Sequence, residues 1–442
     1  MTGRTLLRPA DHDLLLRLLR TPTAGPLEAG PEGEPARLWE AQRAYARAAG
    51  EFGMRAVHHA PPSAGCLDRP DVPAGVRRAA AVDPGFLDAQ PSLVLRLGPA
   101  LPVASTVMCN VHLDTVAGQE PVGFDGHRFT GRGAVDAKGP AVALLAGVRA
   151  AAAAEPSLGR DTAVLVQAVA GEEGGAMGTY GTRPLIEAGY HGRLNLFCEP
   201  TGLRYLPRST ASMTARITVD GQDAIDDRPD AGHNATVLLG FLAQHLAAAL
   251  DGALPDGRVC VAGLHTGHRH NRVHGSGQLL LNLSYARTAD GTALEHAVAE
   301  ALDAGLRAFA ERFRPTREFA RTAADAPRVT RLTWDKRGLP GLADADPWAE
   351  ALLAAAGVRR WPADEPAFTC DALWMADRPG TFTAILGPGS LDTHHAHARG
   401  EFIDLADLED FAATVSAVLT AFARHPARST DRPAARQQGS PA

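Results

Sequence analysis

Cysteine is scarce in this sequence, and its spacing excludes two common uses of the residue. The five cysteines are an odd number and contain no C-x-x-C pair, so neither a disulfide framework nor a thiolate zinc site is predicted. Long apolar runs are also missing, because nowhere do 18 apolar residues follow one another, and Asp and Arg interrupt the first apolar stretch. These absences predict a cytoplasmic protein without a membrane partner.

An excess of basic residues is missing as well. The chain has 44 Lys and Arg against 50 Asp and Glu, a formal charge of -6, which argues against a nucleic-acid partner. Its 442 residues, 45% of them hydrophobic, suffice for a sizeable core and for two or three domains.

Apolar runs of strand length alternate with helical patterns in the first and last parts of the chain. This alternation predicts an α/β fold, with a doubly wound catalytic domain built on a mixed sheet. Between these parts, an alternating strand and Asp/Gly-rich turns predict a smaller inserted α+β domain. The predicted domains are a discontinuous catalytic domain at 1–208 and 336–424, an inserted domain at 209–335 and a disordered tail at 425–442.

Polar residues follow several of the apolar runs, where the sites of open α/β sheets form. An acid or a His at such a place is costly to bury unless it is paired or bound to a cation. The candidates are His112, Asp114, Asp136, Glu172, Glu173, Glu199, His394, His395 and His397.

Imidazole and carboxylate ligands together favour zinc, or cobalt and manganese, and a shared carboxylate would hold two ions about 3.5–4 Å apart. Such ions lower the pKa of a water molecule and polarise a carbonyl group, while a carboxylate that is not a ligand carries the proton. Asp114 lies two residues after His112, on the same side of the strand end, and is predicted to orient its ring.

The same motifs resemble the dinuclear zinc metallopeptidases of family twenty, which include acetylornithine deacetylase, succinyl-diaminopimelate desuccinylase, aminoacylase and glutamate carboxypeptidase. The similar segments are NVHLDTV, GRGAVDAKG, GEE, CEPT and HAHARGEF, in this order along nearly the whole chain. A Glu at position 199 resembles the deacylase and carboxypeptidase branches more than the aminopeptidases.

The resemblance implies a role for each motif residue. Asp136 bridges two metal ions, Glu172 is the general base and Asp114 is the partner of His112. His397 is preferred over its two neighbouring histidines because the last ligand of the family precedes a Glu by four residues, here Glu401. The implied metal ligands are His112, Asp136, Glu173, Glu199 and His397, and the inserted domain is implied to be a lid that often forms a homodimer.

The positions that contact substrate depart from the family pattern. Ile225 takes the place of a His that supports the oxyanion, and the positions of two Arg residues are taken by Leu373 and Ser284. A missing oxyanion donor costs about 2.7–4 kcal/mol of transition-state stabilisation, so something must compensate or the reaction must differ. The remaining substrate-binding candidates are Asn271, Asp371, Gly387, Gly389, Arg287 and His233.

The sequence therefore predicts a hydrolase of an amide bond in an N-acyl amino acid, a small peptide or a related substrate. The missing Arg residues favour a substrate without the usual free α-carboxylate, such as one attached to a carrier protein. Two alternatives stay open, namely amide transfer or cyclisation at the same site and a catalytically silent binding homologue. The segment from His265 to His274 contains four histidines and is interpreted as a solvated turn rather than as a second metal site.

Overall fold

The computed structural model describes residues 5–30, 32–254 and 257–425. The predicted disorder of the tail therefore lies, from residue 426 on, outside the described residues. The chain divides into two compact units. The first, called the catalytic unit below, comprises residues up to Leu67, Ala79–Arg208 and residues from Asp344 on, and the second unit comprises Asp68–Arg78 and Ser209–Ala343.

Helices and strands alternate along both units. The α-helices within the described residues are α1 Pro9–Arg20, α2 Pro26–Ala29, α3 Leu38–Gly50, α4 Ala74–Val82, α5 Lys138–Ala154, α6 Thr182–Glu187, α7 Ala235–Ala249, α8 Thr288–Phe313, α9 Ala320–Val329, α10 Pro347–Ala355 and α11 Leu405–Arg424. The strands there are β1 Arg55–Ala60, β2 Ser92–Leu97, β3 Thr106–His112, β4 Gly123–Phe124, β5 Arg128–Thr130, β6 Ala163–Val169, β7 Leu194–Phe197, β8 Arg204–Tyr205, β9 Arg208–Ser209, β10 Ala211–Asp220, β11 Ala224–Ile225, β12 Arg258–His265, β13 Arg272–Val273, β14 Ser276–Tyr285, β15 Thr330–Lys336, β16 Leu342–Ala343, β17 Arg359–Arg360, β18 Phe382–Ile385 and β19 Phe402–Asp404.

A six-stranded sheet in the order β1-β2-β6-β3-β7-β18 forms the centre of the catalytic unit. β6, β3, β7 and β18 are parallel neighbours, whereas β1 and β2 are added in antiparallel pairing. Every residue of β3 and β6 is buried, which explains why both appear as continuous apolar runs rather than as alternating patterns. The prediction of a mixed α/β fold is confirmed.

The Ala-rich helix α5 packs closely against α11 in the catalytic unit. A Cβ atom at Gly147 of α5 would lie 2.7 Å from the carbonyl oxygen of Ala412 in α11, so glycine is required at this crossing. The close approach buries the faces of both helices in the same apolar core as the sheet. The core thereby fixes the start of α5, where the loop that contains Asp136 ends.

The second unit has a four-stranded antiparallel sheet in the order β12-β14-β10-β15, accompanied by α7, α8 and α9. β10 buries every second residue over most of its length, as expected for a sheet with one covered face. None of the described helices combines the length and the apolar character that crossing a bilayer requires.

Candidate functional site

Polar side chains gather where the parallel strands of the main sheet end. Because these strands run in the same direction, their carboxyl ends meet at one edge of the sheet. The residues at or after the ends of the strands there are His112 at the end of β3, Asp114 after it, Glu172 and Glu173 after β6, Glu199 after β7 and His397 after β18.

His112 ends β3, and its side chain is only 1% exposed. Its Nδ1 lies 2.9 Å from the main-chain carbonyl oxygen of Asp114, which can only accept a hydrogen bond, so Nδ1 carries a proton. In the neutral ring, Nε2 then directs a lone pair towards Asp136 Oδ1 at 2.8 Å and Glu199 Oε1 at 3.8 Å. Two acids and a nitrogen lone pair facing one another require a proton or a cation between them.

Asp136 joins two imidazole rings through its two carboxylate oxygens. Oδ1 faces His112 as described, and Oδ2 lies 3.1 Å from His397 Nε2. The loop is held by Glu401, whose Oε1 accepts hydrogen bonds from the main-chain N–H groups of Val135 and Asp136. Glu401 is itself bound by Arg132 at 2.5 Å. Asp136 is therefore held firmly in its position between the two rings.

Glu173 and His397 meet on the other side of Asp136. Glu173 Oε1 lies 3.0 Å from His397 Nε2 but is buried without a hydrogen-bond partner among the described residues. His397 stands in the left-handed region of the backbone, with a φ of 62°, and its side chain is about half exposed. The ring nitrogen thus faces two carboxylates and can direct a single hydrogen to only one of them.

These contacts form two groups of potential ligands that share Asp136. In each group, one ligand atom from every residue lies within 4.8 Å of the others. The first group is His112, Asp136 and Glu199, and the second is Asp136, Glu173 and His397. A carboxylate common to two such groups is the arrangement that a pair of metal ions requires.

Glu172 differs from its neighbour Glu173. Its carboxylate also lies within 4.8 Å of ligand atoms of His112 and Glu173, but it makes no hydrogen bond or ion pair with any described residue. It is partly exposed, whereas Glu173 is buried. Desolvation of its carboxylate, which the partial exposure of the residue does not remove, and the negative charge of Glu173 raise the pKa of Glu172 well above the usual value. This is the environment expected of a carboxylate that gains and loses a proton near neutral pH.

Asp114 holds the loop that contains the two glutamates. Its Oδ2 accepts hydrogen bonds from the main-chain N–H groups of Gly171 and Glu173, each at 3.0 Å. Its Oδ1 lies 3.7 Å from His112 Nδ1, so the His112 ring is held by the main-chain carbonyl of Asp114 rather than by its carboxylate. Asp114 therefore connects the end of β3 to the loop after β6.

The electrostatics of the cluster fit divalent cations. Burial raises the pKa of Glu199 well above its usual value, and nearby acids add to the effect. Burial alone would lower the pKa of His112, but Glu199 and Asp136 raise it well above normal, and the nearby carboxylates of Asp136 and Glu173 raise the pKa of His397 to about 10. Such acids and rings, crowded together and sharing protons, match the imidazole and carboxylate ligands of zinc, cobalt and manganese.

The other two histidines of the final loop lie apart from this cluster. His394 Nδ1 accepts a hydrogen bond from the main-chain N–H of Ser390, so its Nε2 carries the proton that faces Asp407 at 3.0 Å. The ring therefore has no lone pair left for a metal ion, although two acids lie nearby. His395 contacts the ring of Phe402.

Asp371, Gly387 and Gly389 surround the cluster in the catalytic unit. Asp371 is 1% exposed and accepts a hydrogen bond from Thr182 at 2.5 Å, and burial raises its pKa to about 7. A Cβ atom at Gly387 would lie 2.3 Å from the carbonyl oxygen of Glu199, so this glycine allows β18 to approach that residue. Gly389 has a φ of 70°. These contacts position main-chain and side-chain atoms around Glu199.

The three remaining candidates lie in the second unit. Both nitrogens of the His233 ring are used, because Nδ1 accepts from the N–H of Gln222 at 2.8 Å and Nε2 faces Asp325 at 3.1 Å. Arg287 makes two hydrogen bonds to Asp290, at 2.9 and 3.0 Å. Asn271 is exposed. His233 is therefore engaged within its own unit and is not a free hydrogen-bond donor.

The three residues at the positions that depart from the family pattern are apolar or uncharged, and each lies on a defined element of the structure. Leu373 is fully buried in the short 3₁₀ helix Asp371–Met375, and Ile225 is 58% exposed on β11. Ser284 lies on β14.

Sequence patterns did not predict the pair of Arg132 and Glu401 as a support of the site. The two residues are 269 positions apart, yet their side chains are buried against each other. Arg132 stands four residues before Asp136 and Glu401 four residues after His397, which places each residue near a predicted ligand but does not pair the two with each other.

Comparisons with known proteins place these observations in a family context. The sequence profile described as Peptidase family M20/M25/M40 matches residues 108–421. A protein of Aeropyrum pernix, provisionally named a LysW-lysine/LysW-ornithine hydrolase, is 31% identical over 216 residues, 47% of this chain. The match spans 55% of that relative, about half of its length.

Solved structures resemble the whole chain at low identity, which concerns the fold alone. An M20 family metallo-carboxypeptidase of Sulfolobus solfataricus has a TM-score of 0.67 at 12% identity, covering 95% of this chain and 100% of its own. An aminopeptidase of Bacillus cereus has a TM-score of 0.65 at 14% identity, covering 94% and 99%. Human carnosine dipeptidase 1 has a TM-score of 0.63 at 13% identity, covering 94% and 97%.

Proposed function

Because the chain belongs to peptidase family M20/M25/M40, we propose that it is a dinuclear-metal amidohydrolase that cleaves an amide bond of an N-acyl amino acid, a small peptide or a related substrate. The predicted family of metallopeptidases is confirmed. Its branch, whether acetylornithine deacetylase, succinyl-diaminopimelate desuccinylase, aminoacylase or glutamate carboxypeptidase, stays a prediction.

One observation supports this proposal above all others. Two groups of imidazole and carboxylate ligands share Asp136, and Glu172 lies beside them without a hydrogen-bond partner among the described residues. A purely structural role would leave several acids buried together with unfavourable pKa shifts. The same observation argues against a catalytically silent binding protein.

We assign His112, Asp136 and Glu199 to one metal ion, and Asp136, Glu173 and His397 to the other. Zinc fits this ligand set, as do cobalt and manganese. When bound, the two ions supply a lowered pKa for water and polarisation of the carbonyl group that is attacked. Asp114 fixes the loop of Glu173, and Glu401 fixes the loop of Asp136.

Glu172 is proposed as the general base and acid. Its carboxylate takes a proton from water and returns it to the leaving nitrogen, which needs a pKa near the working pH. The raised pKa of Glu172 supports this role, because a carboxylate at its usual pKa holds a proton poorly at pH 7.

The proposed substrate class is inferred from two substrate-contacting positions at which the residue differs from the family pattern. Leu373 is buried and apolar and Ser284 is uncharged, so neither can hold a free α-carboxylate as an Arg does. The name of the Aeropyrum pernix relative refers to amino acids linked to LysW. Both facts support an amino acid derivative as the substrate. The proposed partner is a carrier protein to which this substrate is attached.

The second unit is proposed as a lid that contributes Asn271 and Arg287 to substrate binding, and as a homodimer surface, whereas both ring nitrogens of His233 are engaged by Gln222 and Asp325. Supporting the dimer, β12 is an edge strand with partly exposed Val261 and Leu264. A cytoplasmic location stays a prediction, supported by the five cysteines, none of which forms a disulfide within the described residues.

A substrate panel tests the proposed function. Zinc-loaded and cobalt-loaded protein should hydrolyse N-acyl derivatives of lysine or ornithine, and oxygen-18 water should place the label in the released acid. Transfer or cyclisation would pass the acyl group to another nucleophile without releasing a labelled acid, and such products would favour the alternative chemistry. Ordinary rates on simple N-acetyl amino acids, with a strong dependence on their α-carboxylate, would contradict the proposed substrate class.

A further inference from the structure

A cavity lies in the catalytic unit beside the loops that carry the proposed metal ligands. It has a volume of about 550 Å³ and is lined by residues between Leu19 and Arg37, by the loop Thr115–Val122, and by Arg132 and Lys138. We call it the N-terminal pocket. Its first wall lies outside residues 108–421, the part of the chain that matches the family profile.

The N-terminal wall contacts the loops that carry the site. Ala24 pairs with Thr115, the residue after Asp114, as an isolated parallel bridge. Glu28 accepts a hydrogen bond from the N–H of Ala117 at 3.0 Å. A Cβ atom at Gly174, directly after Glu173, would lie 2.7 Å from Leu27 Cβ, so the wall also touches this loop. The pocket is thus built against two segments of the catalytic centre.

Three hydrogen-bond donors of the pocket lack an acidic partner. Lys138 is 1% exposed and its Nζ donates to the carbonyl oxygen of Thr21 at 3.0 Å, but no carboxylate of the described residues lies within 4.0 Å of it. The hydroxyl of Thr23 is buried without a hydrogen-bond partner among those residues. Arg20 has neither a hydrogen bond nor an ion pair in the described part of the chain.

The other charged residues of the lining are already paired. Arg132 binds Glu401, and Arg37 lies 3.4 Å from Glu40. Glu34 accepts from Gln119, and Glu120 accepts from the N–H of Gly400. The groups without an acidic partner are therefore donors, of which the exposed Arg20 is cationic, and they favour an oxygen acceptor with negative charge.

We propose that the N-terminal pocket binds a carboxylate group of the substrate that lies away from the amide to be cleaved. The inference rests on the proposed function and deepens it. Lys138, Thr23 and Arg20 supply the donors, while Leu19, Ala29 and Val122 offer apolar contacts to a short aliphatic linker. The bound carboxylate belongs to the acyl side of the substrate, because Ser284 and Leu373 take the positions of the Arg residues that would hold an α-carboxylate.

Selectivity between matched substrates tests the proposal. Zinc-loaded protein is assayed with N-succinyl-lysine and N-acetyl-lysine, and with the corresponding lysine amides, so that a carboxylate is present or absent on either side of the amide. The wild type should prefer N-succinyl-lysine over N-acetyl-lysine, and the same preference should hold for the two lysine amides, because the proposed substrate class lacks a free α-carboxylate. The preference, taken as a ratio of kcat/KM values, should fall by about fivefold in Arg20→Gln and further in Arg20→Gln/Thr23→Val.

Arg47→Gln is the matched control, because Arg47 is exposed on α3 and does not line the pocket. The control should retain the ratio of the wild type. Hydrolysis with a ratio that is the same in the wild type and in both pocket variants would overturn the inference and leave the proposed function intact.

Binding of glutarate distinguishes a failure of the proposed function from a failure of the proposed carboxylate site. If no member of the panel is hydrolysed, the proposed function fails, and calorimetry with glutarate and zinc-loaded protein then decides about the pocket. Weaker glutarate binding in Arg20→Gln/Thr23→Val than in Arg47→Gln would support a carboxylate site. Equal binding in the two variants would overturn it.

Discussion

The acidic cluster of the catalytic unit and the substrate-binding candidates of the second unit differ in what holds them in place. The cluster joins Asp136 to two imidazole rings and leaves Glu173 Oε1 buried without a hydrogen-bond partner among the described residues. In the second unit, both ring nitrogens of His233 have hydrogen-bond partners, Gln222 and Asp325, as is usual for a buried histidine without a ligand. An arrangement that is incomplete without a ligand indicates function more strongly than one that is complete.

The largest effect is expected from Glu172→Gln, which separates catalysis from metal binding. Glutamine keeps the shape of the side chain but cannot take a proton, so turnover should fall by roughly 10²–10⁴-fold while bound metal stays unchanged. Steady-state kinetics and metal analysis measure the two quantities. Glu155→Gln, at a distant position of the same unit, is the control, and substantial activity in Glu172→Gln would remove this residue as the base.

Asp114→Asn tests whether the loop contacts support the ligands. The carboxylate accepts two main-chain hydrogen bonds at 3.0 Å, and loss of one should weaken metal affinity by about 10–100-fold. Competition with a chelator measures the affinity. Asp11→Asn, which disturbs the ion pair with Arg149, should leave the affinity unchanged. Equal affinities in the two variants would show that Asp114 has no such role.

Metal binding should release protons near neutral pH. Because Asp136 and Glu173 raise the pKa of His397 to about 10, this ring is protonated in the metal-free protein and must lose its proton to become a ligand. Affinity should therefore rise by about tenfold per pH unit for each proton released. Titration in a weak buffer with an indicator counts the protons. An affinity that does not change between pH 6 and 8 would contradict the ligand assignment.

The smallest effects are expected in the second unit and concern stability. His233→Ala removes a buried ring with two partners and should lower the free energy of unfolding by about 1–3 kcal/mol. Arg287→Ala removes a largely exposed ion pair at the start of α8 and should cost less than about 0.5 kcal/mol. Urea unfolding measures both. A small loss in His233→Ala would show that this ring is less constrained than its contacts indicate.

Most of the catalytic unit could be predicted from the sequence, and the reason is physical. Buried parallel strands such as β3 and β6 leave continuous apolar runs, and the predicted segments 104–111 and 162–169 differ from them by one or two residues. Asp136 and Glu199 could be found because acids near otherwise apolar segments need compensation.

The second unit was less predictable. β12 has six exposed residues among its eight, so its sequence lacks the apolar alternation of a covered strand. α9 contains Pro327, which argues against a helix in a sequence pattern. The link between Arg132 and Glu401 could not be predicted because it depends on the approach of two distant loops, which only the folded chain defines.

The number of metal ions per chain tests the central claim most directly. Protein loaded with zinc and freed of excess metal should contain two ions per chain by elemental analysis, and Asp136→Asn should contain fewer than one, because it alters the carboxylate shared by both ligand groups. One ion or none in the wild type, or two ions retained in Asp136→Asn, would contradict a dinuclear site bridged by Asp136.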